Sequence, residues 1–194
     1  MILINQVCWQ QQAFFIFMPS SWIMAFINIE IKARTTRADA IRQYLISKGA
    51  EFRGKDHQSD TYFNVPNGRL KLREGNIENN LIYYHRPETA GLKQSDVELV
   101  GTPEPAALKT VLTQALGVKA VVRKQREIYY IGNVKFHIDT LEGLGSFVEI
   151  EACSDNTSLS KEDLQDQCRM YMDAFGVEEK DLVNKSYSDM VITN

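Results

Sequence analysis

The chain has 194 residues, of which 44% are hydrophobic and 24% are charged, and its formal net charge is −3. These values are ordinary for one globular domain, and they exclude the global positive field that would point to nucleic acid as a partner. The three cysteines, Cys8, Cys153 and Cys168, are too widely spaced for a disulfide framework or a zinc site, which favours a reducing, cytoplasmic location.

The N-terminal segment differs from the rest of the chain, because Met1–Phe26 contain no Lys, Arg, Asp or Glu. Neither of its apolar runs reaches the roughly 20 residues that a membrane-spanning helix needs, and no positive region of a secretory signal precedes them. We therefore predict a disordered or non-native extension over residues 1–25, with Met24 as a plausible natural start. The alternative is a targeting or membrane-associating segment. Residues 26–194 are predicted to form a single domain with no membrane partner.

In this domain, stretches that alternate apolar and polar residues are separated by three segments with helical spacing. The pattern predicts an α+β fold with an antiparallel sheet of about eight strands and helices packed outside it. The predicted strands are Ile27–Ala33, Asp60–Val65, Arg69–Glu74, Leu81–Arg86, Asp96–Leu99, Val121–Ile131, Val134–Leu141 and Phe147–Ala152. The predicted helices are Arg37–Lys48, Thr102–Leu116 and Lys161–Phe175, with a short helical tail at Asp181–Val191.

Several of these strands carry charged residues along one face and apolar residues along the other, because residues two apart share a face. Arg69, Lys71 and Arg73 repel one another on one face unless an anion lies among them. An antiparallel sheet with one hydrated face explains a single strand of this kind, but five such strands favour a barrel with a charged interior. The other polar or charged positions on these faces are Asn28, Glu30, Lys32, Arg34, Lys124, Arg126, His137, Asp139, Glu149 and Glu151.

A triphosphate suits such an interior, because its roughly four negative charges need several Lys and Arg donors. A hard divalent cation, Mg²⁺ or Mn²⁺, would lie between the phosphates and a few carboxylates. The candidate metal ligands are Glu30, Glu149, Glu151 and Asp139, and the candidate phosphate-binding residues are Lys32, Arg73, Lys124 and Arg126. His137 is predicted to be structural.

The segment NIEIKA at residues 28–33 resembles the ExExK signature strand of the CYTH superfamily, the triphosphate tunnel metalloenzymes. Further segments resemble that family in the same order, and the closest resemblance is to its class IV adenylyl cyclase-like branch. The resemblance implies a β-barrel tunnel that binds a triphosphate with a divalent metal. The segments are RLKLRE (69–74), LIYYHRP (81–87), RKQREIYYIG (123–132), FHIDTLEGLGSFVEIE (136–151) and KSYSDM (185–190).

The resemblance also assigns roles to individual residues. Catalytic roles fall to Lys32 and Asp139, and metal binding falls to Glu30, Glu149 and Glu151. The phosphate-binding residues are Lys32, Lys71, Arg73, Arg86, Lys124, Arg126 and Lys185.

Two departures from the family pattern affect these roles. Asn28 replaces the first signature Glu, which removes one anionic ligand, and His85 and Arg86 stand where relatives often place a Lys.

We therefore predict a metal-dependent enzyme that hydrolyses a nucleoside, thiamine or inorganic triphosphate. One alternative is an adenylyl cyclase that makes cyclic AMP and pyrophosphate from ATP. A second alternative, motivated by Asn28, is a non-catalytic module that binds polyphosphate or nucleotide. A homodimer is implied by the resemblance alone, and the organic group of the substrate stays open.

Overall fold

A computed structural model of the protein describes residues 28–85, 93–94, 96–154 and 159–192. The predicted N-terminal extension and Arg86 lie outside the described residues.

The described residues form one antiparallel sheet of nine strands, in the order β5-β1-β9-β8-β7-β2-β3-β4-β6. Four helices and a short 3-10 turn at Glu179–Asp181 accompany the sheet. None of these helices is long and apolar enough to cross a membrane. The strands are β1 Asn28–Arg34, β2 Glu51–Phe63, β3 Arg69–Glu74, β4 Asn80–His85, β5 Lys93–Gln94, β6 Asp96–Gly101, β7 Val118–Ile131, β8 Val134–Leu141 and β9 Gly145–Cys153. The helices are α1 Ala38–Ser47, α2 Pro105–Leu116, α3 Lys161–Phe175 and α4 Tyr187–Ile192.

Strand β2 is the largest difference from the sequence prediction, which placed the start of this strand at Asp60 rather than at Glu51. The first half of β2 has no apolar alternation, because polar residues occupy both of its faces. Asp56 and Gln58 are buried on the inner face, whereas Lys55 and His57 are exposed on the outer one. The strand is nevertheless fixed along its whole length by antiparallel pairing with β7.

The sheet curls into a barrel-like tunnel, as the sequence predicted. Its two edge strands, β5 and β6, are consecutive in the chain and are separated by residue 95 alone. Strand β5 pairs with β1 and β6 pairs with β4, so the covalent chain connects the two edges. The inner faces of the strands therefore surround a common interior.

The apolar faces of β1, β9 and β8 lie outside the barrel and pack under α1 and α3. Helix α1 buries Ile41 and Leu45, and α3 buries Leu164 and Phe175. Complete burial of each such side chain stabilises the fold by about 1.5–3 kcal/mol. Because the outer faces form the hydrophobic core, the charged inner faces are left to line the interior.

Helix α3 has well-defined ends, which fix its position against β9 and β1. Ser160 and Asp163 form a reciprocal capping box at its N-terminus. Gly176 ends the helix in the left-handed region at φ 64°, where glycine has no Cβ clash.

Candidate functional site

The interior contains a cavity of about 140 Å³ whose lining combines cations, carboxylates and aromatic residues. Strands β1, β2, β3, β4, β6, β7, β8 and β9 all contribute to it, together with the segment that leads into α4. The charged residues that line it are Glu30, Lys32, Lys71, Arg73, Glu78, Lys124, Arg126, Lys135, Glu149 and Glu151, with His137 beside them.

Asp60 on β2 connects three of these cations. Its carboxylate accepts hydrogen bonds from Lys71 Nζ at 2.9 Å, from Arg73 Nε at 2.9 Å and from Lys124 Nζ at 2.9 Å. Burial raises the pKa of Asp60, but the charges of Arg73, Lys124 and Lys71 outweigh that effect and hold it well below its ordinary value. The three cations line the cavity and are thus held together by one shared carboxylate.

Glu78 holds the next group of cations, although it lies in the loop between β3 and β4. It accepts hydrogen bonds from Arg73 Nη1 at 2.7 Å and from Lys135 Nζ at 3.1 Å. The loop is held inward by Asp56, whose carboxylate accepts the backbone N–H of Glu78 at 3.0 Å. Gly75 permits this approach, since an added Cβ would lie 2.6 Å from Asp56 Oδ1. The glycine therefore helps to aim Glu78 into the cavity.

A cluster of possible metal ligands lies on β8 and β9. Glu149, Glu151 and His137 each offer a ligand atom, and these atoms lie within 4.8 Å of one another. His137 Nδ1 is 3.1 Å from Glu149 Oε2 and 3.3 Å from Glu151 Oε1. Burial raises the pKa of Glu151, but His137 and Lys135 outweigh it and lower that pKa to about 2. The cluster therefore offers ionised carboxylate oxygens to a divalent cation and, when the imidazole is neutral, a ring nitrogen as well.

Arg126 is anchored from behind the cavity by Asp139. Its Nε and Nη2 donate to the two oxygens of that carboxylate at 2.6 and 2.5 Å, and Nη2 also donates to Glu149 at 2.6 Å. Tyr187 donates its hydroxyl to Asp139 at 2.9 Å, and the ammonium of Lys32 lies 3.8 Å from the centre of the Tyr187 ring. This network fixes the direction in which the Arg126 guanidinium points.

The structure brings most of the predicted site residues to the cavity. Glu30, Lys32, Lys71, Arg73, Lys124, Arg126, Glu149 and Glu151 line it. Asn28 also lines it, two positions before Glu30.

Two predicted residues are placed elsewhere. Asp139, which was predicted to be catalytic, is fully buried behind Arg126 and does not line the cavity in the described part of the chain. Lys185 is exposed and also outside the lining, whereas its neighbours Ser186 and Tyr187 contribute to it.

Several residues of the site were missing from the sequence prediction. Asp60, Glu78 and Lys135 were not proposed, and His137 was interpreted as structural. A partial signal for Asp60 was present, because the predicted strands on either side of the turn at residues 66–68 form a hairpin, in which the structure places Asp60 opposite Arg73. Lys135 shares the inner face of β8 with His137. Glu78 lies outside any strand, so alternation gave no signal for it.

Lys124 is a buried cation of the cavity that changes its charge near neutral pH. Burial lowers its pKa, and although Asp60 raises it, the neighbouring Arg126 and Arg73 help to bring it to about 7. A bound triphosphate would favour the ammonium form and raise this pKa, so binding above pH 7 takes up a proton. We expect the affinity for tripolyphosphate to fall by up to about tenfold for each pH unit above 7.

Calorimetry at pH 8 in buffers of different ionisation enthalpy measures this proton uptake. The variant Lys124→Met should bind more weakly and should lose the uptake. Uptake that is unchanged in the variant would assign the titration to another group.

The CYTH domain family matches residues 27–187, which span every described strand and all of the predicted signature segments except the end of KSYSDM (185–190). The chain belongs to the CYTH family. Members of this family act on triphosphates with the help of a metal, as adenylyl cyclase-like enzymes or as triphosphatases.

Individual CYTH relatives are distant in sequence but similar in length. MJ0240 of Methanocaldococcus jannaschii, a protein provisionally named adenylate cyclase, is 25% identical over 175 residues, covering 84% of this chain and 98% of its own. Adenylate cyclase CyaB of Aeromonas hydrophila is 25% identical over 185 residues, covering 88% and 91%.

Solved structures share the fold. PH1012 of Pyrococcus horikoshii superimposes with a TM-score of 0.71 at 24% identity, covering 84% of this chain and 99% of its own. HpAC1 of Hippeastrum, described as having a dominant triphosphatase activity, has a TM-score of 0.62 at 13% identity, covering 87% and 96%.

The residues of this CYTH chain fit the divalent cation that the family uses. His137 supports this fit, because its Nε2 is buried with no hydrogen-bond partner among the described residues and its ring belongs to the same cluster as Glu149 and Glu151. Carboxylate oxygens suit Mg²⁺ and Mn²⁺, and an imidazole nitrogen suits the transition metal better.

Proposed function

We propose that this CYTH protein is a metal-dependent triphosphatase that hydrolyses the terminal phosphoanhydride bond of a triphosphate. The observation that carries the proposal is the single cavity in which Lys and Arg side chains from four strands face the cluster of His137, Glu149 and Glu151. Water attacks the terminal phosphorus, the bond to the bridging oxygen breaks, and orthophosphate and a diphosphate leave.

The cations of the cavity bind and orient the phosphate chain. Arg73 and Arg126 are rigid forks that match phosphate oxygens in pairs, and both are kept in place by buried carboxylates. Lys32 and Lys124 add compact charges that stabilise the transition state, in which negative charge spreads over the transferred phosphoryl oxygens. Lys124 Nζ can hold or release a proton near neutral pH, because its pKa is about 7.

Glu149, Glu151 and His137 would hold the divalent cation, with Glu30 on the adjacent strand β1 directly opposite Glu151. When bound there, the cation supplies positive charge to the phosphate oxygens and helps to orient the chain. Burial raises the pKa of Glu149, but Arg126 and Lys32 outweigh it and keep that pKa well below its ordinary value, so Glu149 is ready to bind metal at any physiological pH.

Adenylyl cyclisation is the second candidate, and the name of the Aeromonas relative favours it. In that reaction the ribose 3′ oxygen attacks the α-phosphorus, its proton is removed, and pyrophosphate leaves. Both reactions use the same cations and differ in which phosphorus faces the nucleophile.

A product assay distinguishes them. The protein is incubated with ATP, thiamine triphosphate or tripolyphosphate and with Mg²⁺ or Mn²⁺, and the products are separated by chromatography. We expect orthophosphate that appears only with metal. Cyclic AMP with pyrophosphate would establish the cyclase instead, and binding without any product would contradict both reactions and favour a binding module.

A further inference from the structure

The cations on the inner face of β3 lead into the cavity towards a further cation, Lys135 on β8. Along β3 the exposed fraction of the side chain falls from 21% at Arg69 and 13% at Lys71 to 9% at Arg73. It is 3% at Lys135. The outer part of this row lies near Leu99, which lines the cavity and is 40% exposed. A phosphate chain that enters on this side meets Lys71 first and Arg73 second.

Glu78 lies between the last two cations of the row. Its Oε2 accepts a hydrogen bond from Arg73 Nη1 at 2.7 Å, and its Oε1 accepts one from Lys135 Nζ at 3.1 Å. Burial raises the pKa of Glu78, but the charges of Lys135 and Arg73 outweigh that effect and hold the pKa well below its ordinary value. The inner end of the row is therefore occupied by a carboxylate that stays charged at physiological pH.

The loop that carries Glu78 is fixed to strand β2. The carboxylate of Asp56 accepts the backbone N–H of Ile77 at 2.9 Å and that of Glu78 at 3.0 Å. The side chain of Asn76 forms two further hydrogen bonds with the backbone of β2, at 2.6 and 3.1 Å. Movement of Glu78 and its loop away from the cations would break these hydrogen bonds, which makes such a movement costly.

We propose that Glu78 limits the length of the phosphate chain that the cavity accepts, so that a triphosphate is a better substrate than a longer inorganic polyphosphate. This inference rests on the proposed function and names a specificity-determining residue of the same site. In this arrangement three phosphates lie among the cations around Asp60 and the proposed metal ligands. The next donors inward are Arg73 Nη1 and Lys135 Nζ, which Glu78 already binds.

A fourth phosphate would therefore have to displace Glu78 or lie beside it. Displacement breaks the hydrogen bonds of the loop, and a phosphate beside a buried carboxylate is repelled. Discrimination of this kind comes from a repulsive group placed against the wrong ligand and needs no additional contact with the right one.

The experiment measures orthophosphate release from tripolyphosphate and from tetrapolyphosphate with Mn²⁺, and compares the two values of kcat/KM. The unmodified protein should prefer tripolyphosphate. Glu78→Gln keeps the size of the side chain and removes its charge, so kcat/KM for tetrapolyphosphate should rise at least about tenfold relative to that for tripolyphosphate. Glu78→Asp keeps the charge and should retain the preference.

Two further variants separate the position of the charge from its removal. Glu74→Gln is the matched control, because Glu74 immediately precedes the same loop and is bound to Lys109 of α2 at 2.6 Å. It removes one negative charge as well, and it should leave the ratio of the two kcat/KM values unchanged. Asn76→Ala keeps Glu78 but removes two hydrogen bonds between the loop and β2. It should relax the preference in the same direction as Glu78→Gln, by a smaller factor.

An unchanged ratio in Glu78→Gln, or an equal change in Glu74→Gln, would overturn the inference while the proposed function still stood. Equal use of both chains by the unmodified protein would do the same. If Glu78→Gln does not fold, Asn76→Ala decides, because a relaxed preference supports the inference and an unchanged one overturns it. If the unmodified protein releases orthophosphate from neither chain, the inference fails, and if it also releases none from ATP or thiamine triphosphate, the proposed function fails with it.

Discussion

Asp60→Asn is expected to lower the free energy of unfolding by about 3–5 kcal/mol, because it leaves three buried cations without their common carboxylate. Lys71, Arg73 and Lys124 all donate to Asp60, and the Asp60 side chain is 1% exposed. An asparagine of the same shape keeps one acceptor oxygen but removes the charge. Denaturation in urea, followed by circular dichroism, measures the difference.

The same variant should respond more strongly to a triphosphate than the unmodified protein. The phosphates replace the missing negative charge, so saturating tripolyphosphate should raise the melting temperature of Asp60→Asn by more than it raises that of the parent. Asp166→Asn is the matched control, since Asp166 pairs with Arg169 at 2.8 Å on the exposed side of α3. That exposed pair contributes at most about 1 kcal/mol. Equal stability of Asp60→Asn and Asp166→Asn would contradict this account of the cation cluster.

Removal of a proposed metal ligand is expected to have the largest effect on catalysis. Glu151→Gln keeps the size of the side chain but removes its charge, and we expect at least about tenfold weaker Mn²⁺ binding and roughly 100-fold slower turnover. His137→Gln should also weaken Mn²⁺ binding about tenfold, because it removes the imidazole nitrogen from the same cluster. Mn²⁺ titration followed by electron paramagnetic resonance reports binding without any requirement for activity.

Glu142→Gln is the control for charge alone, because Glu142 is exposed in the turn between β8 and β9. Its Mn²⁺ affinity should equal that of the unmodified protein. Two results together would exclude His137 as a ligand. The His137→Gln variant would bind Mn²⁺ as tightly as the parent, and its spectrum would show the same nitrogen coupling as the spectrum of the parent. The metal site would then consist of carboxylates alone.

Most of the fold was predictable from the sequence, because apolar and charged residues alternate cleanly along β1, β3, β8 and β9. The first half of β2 was not, since its inward residues, Asp56 and Gln58, are as polar as its outward ones. Alternation in hydrophobicity reports a strand only when its two faces meet different environments. A strand that faces a charged tunnel on one side and water on the other has no such contrast.

The residues of the site likewise divide into those that alternation along the strands predicted and those that it did not. The cations and carboxylates that alternate with core residues were proposed correctly as inward-facing, as for Lys32 and Glu149. Glu78 was missed because a loop carries it, and its position depends on Asp56, which lies 22 residues earlier in the chain. The position of Asp139 behind Arg126 was not predicted, because sequence spacing gives the face on which a residue lies but not whether an arginine lies in front of it.

The pairing of charges inside the tunnel has a consequence for how a ligand finds it. The described cations around the cavity are matched in number by carboxylates. An entering triphosphate therefore replaces some of these carboxylates as the partner of the cations and does not meet a surface of uncompensated positive charge. Such an interior projects little field beyond the roughly 8 Å over which physiological salt screens charges. Ionic strength should therefore alter the association rate far less than it does for a protein with an exposed basic patch. The cations are Lys32, Lys71, Arg73, Lys124, Arg126 and Lys135, and the carboxylates are Glu30, Asp60, Glu78, Asp139, Glu149 and Glu151.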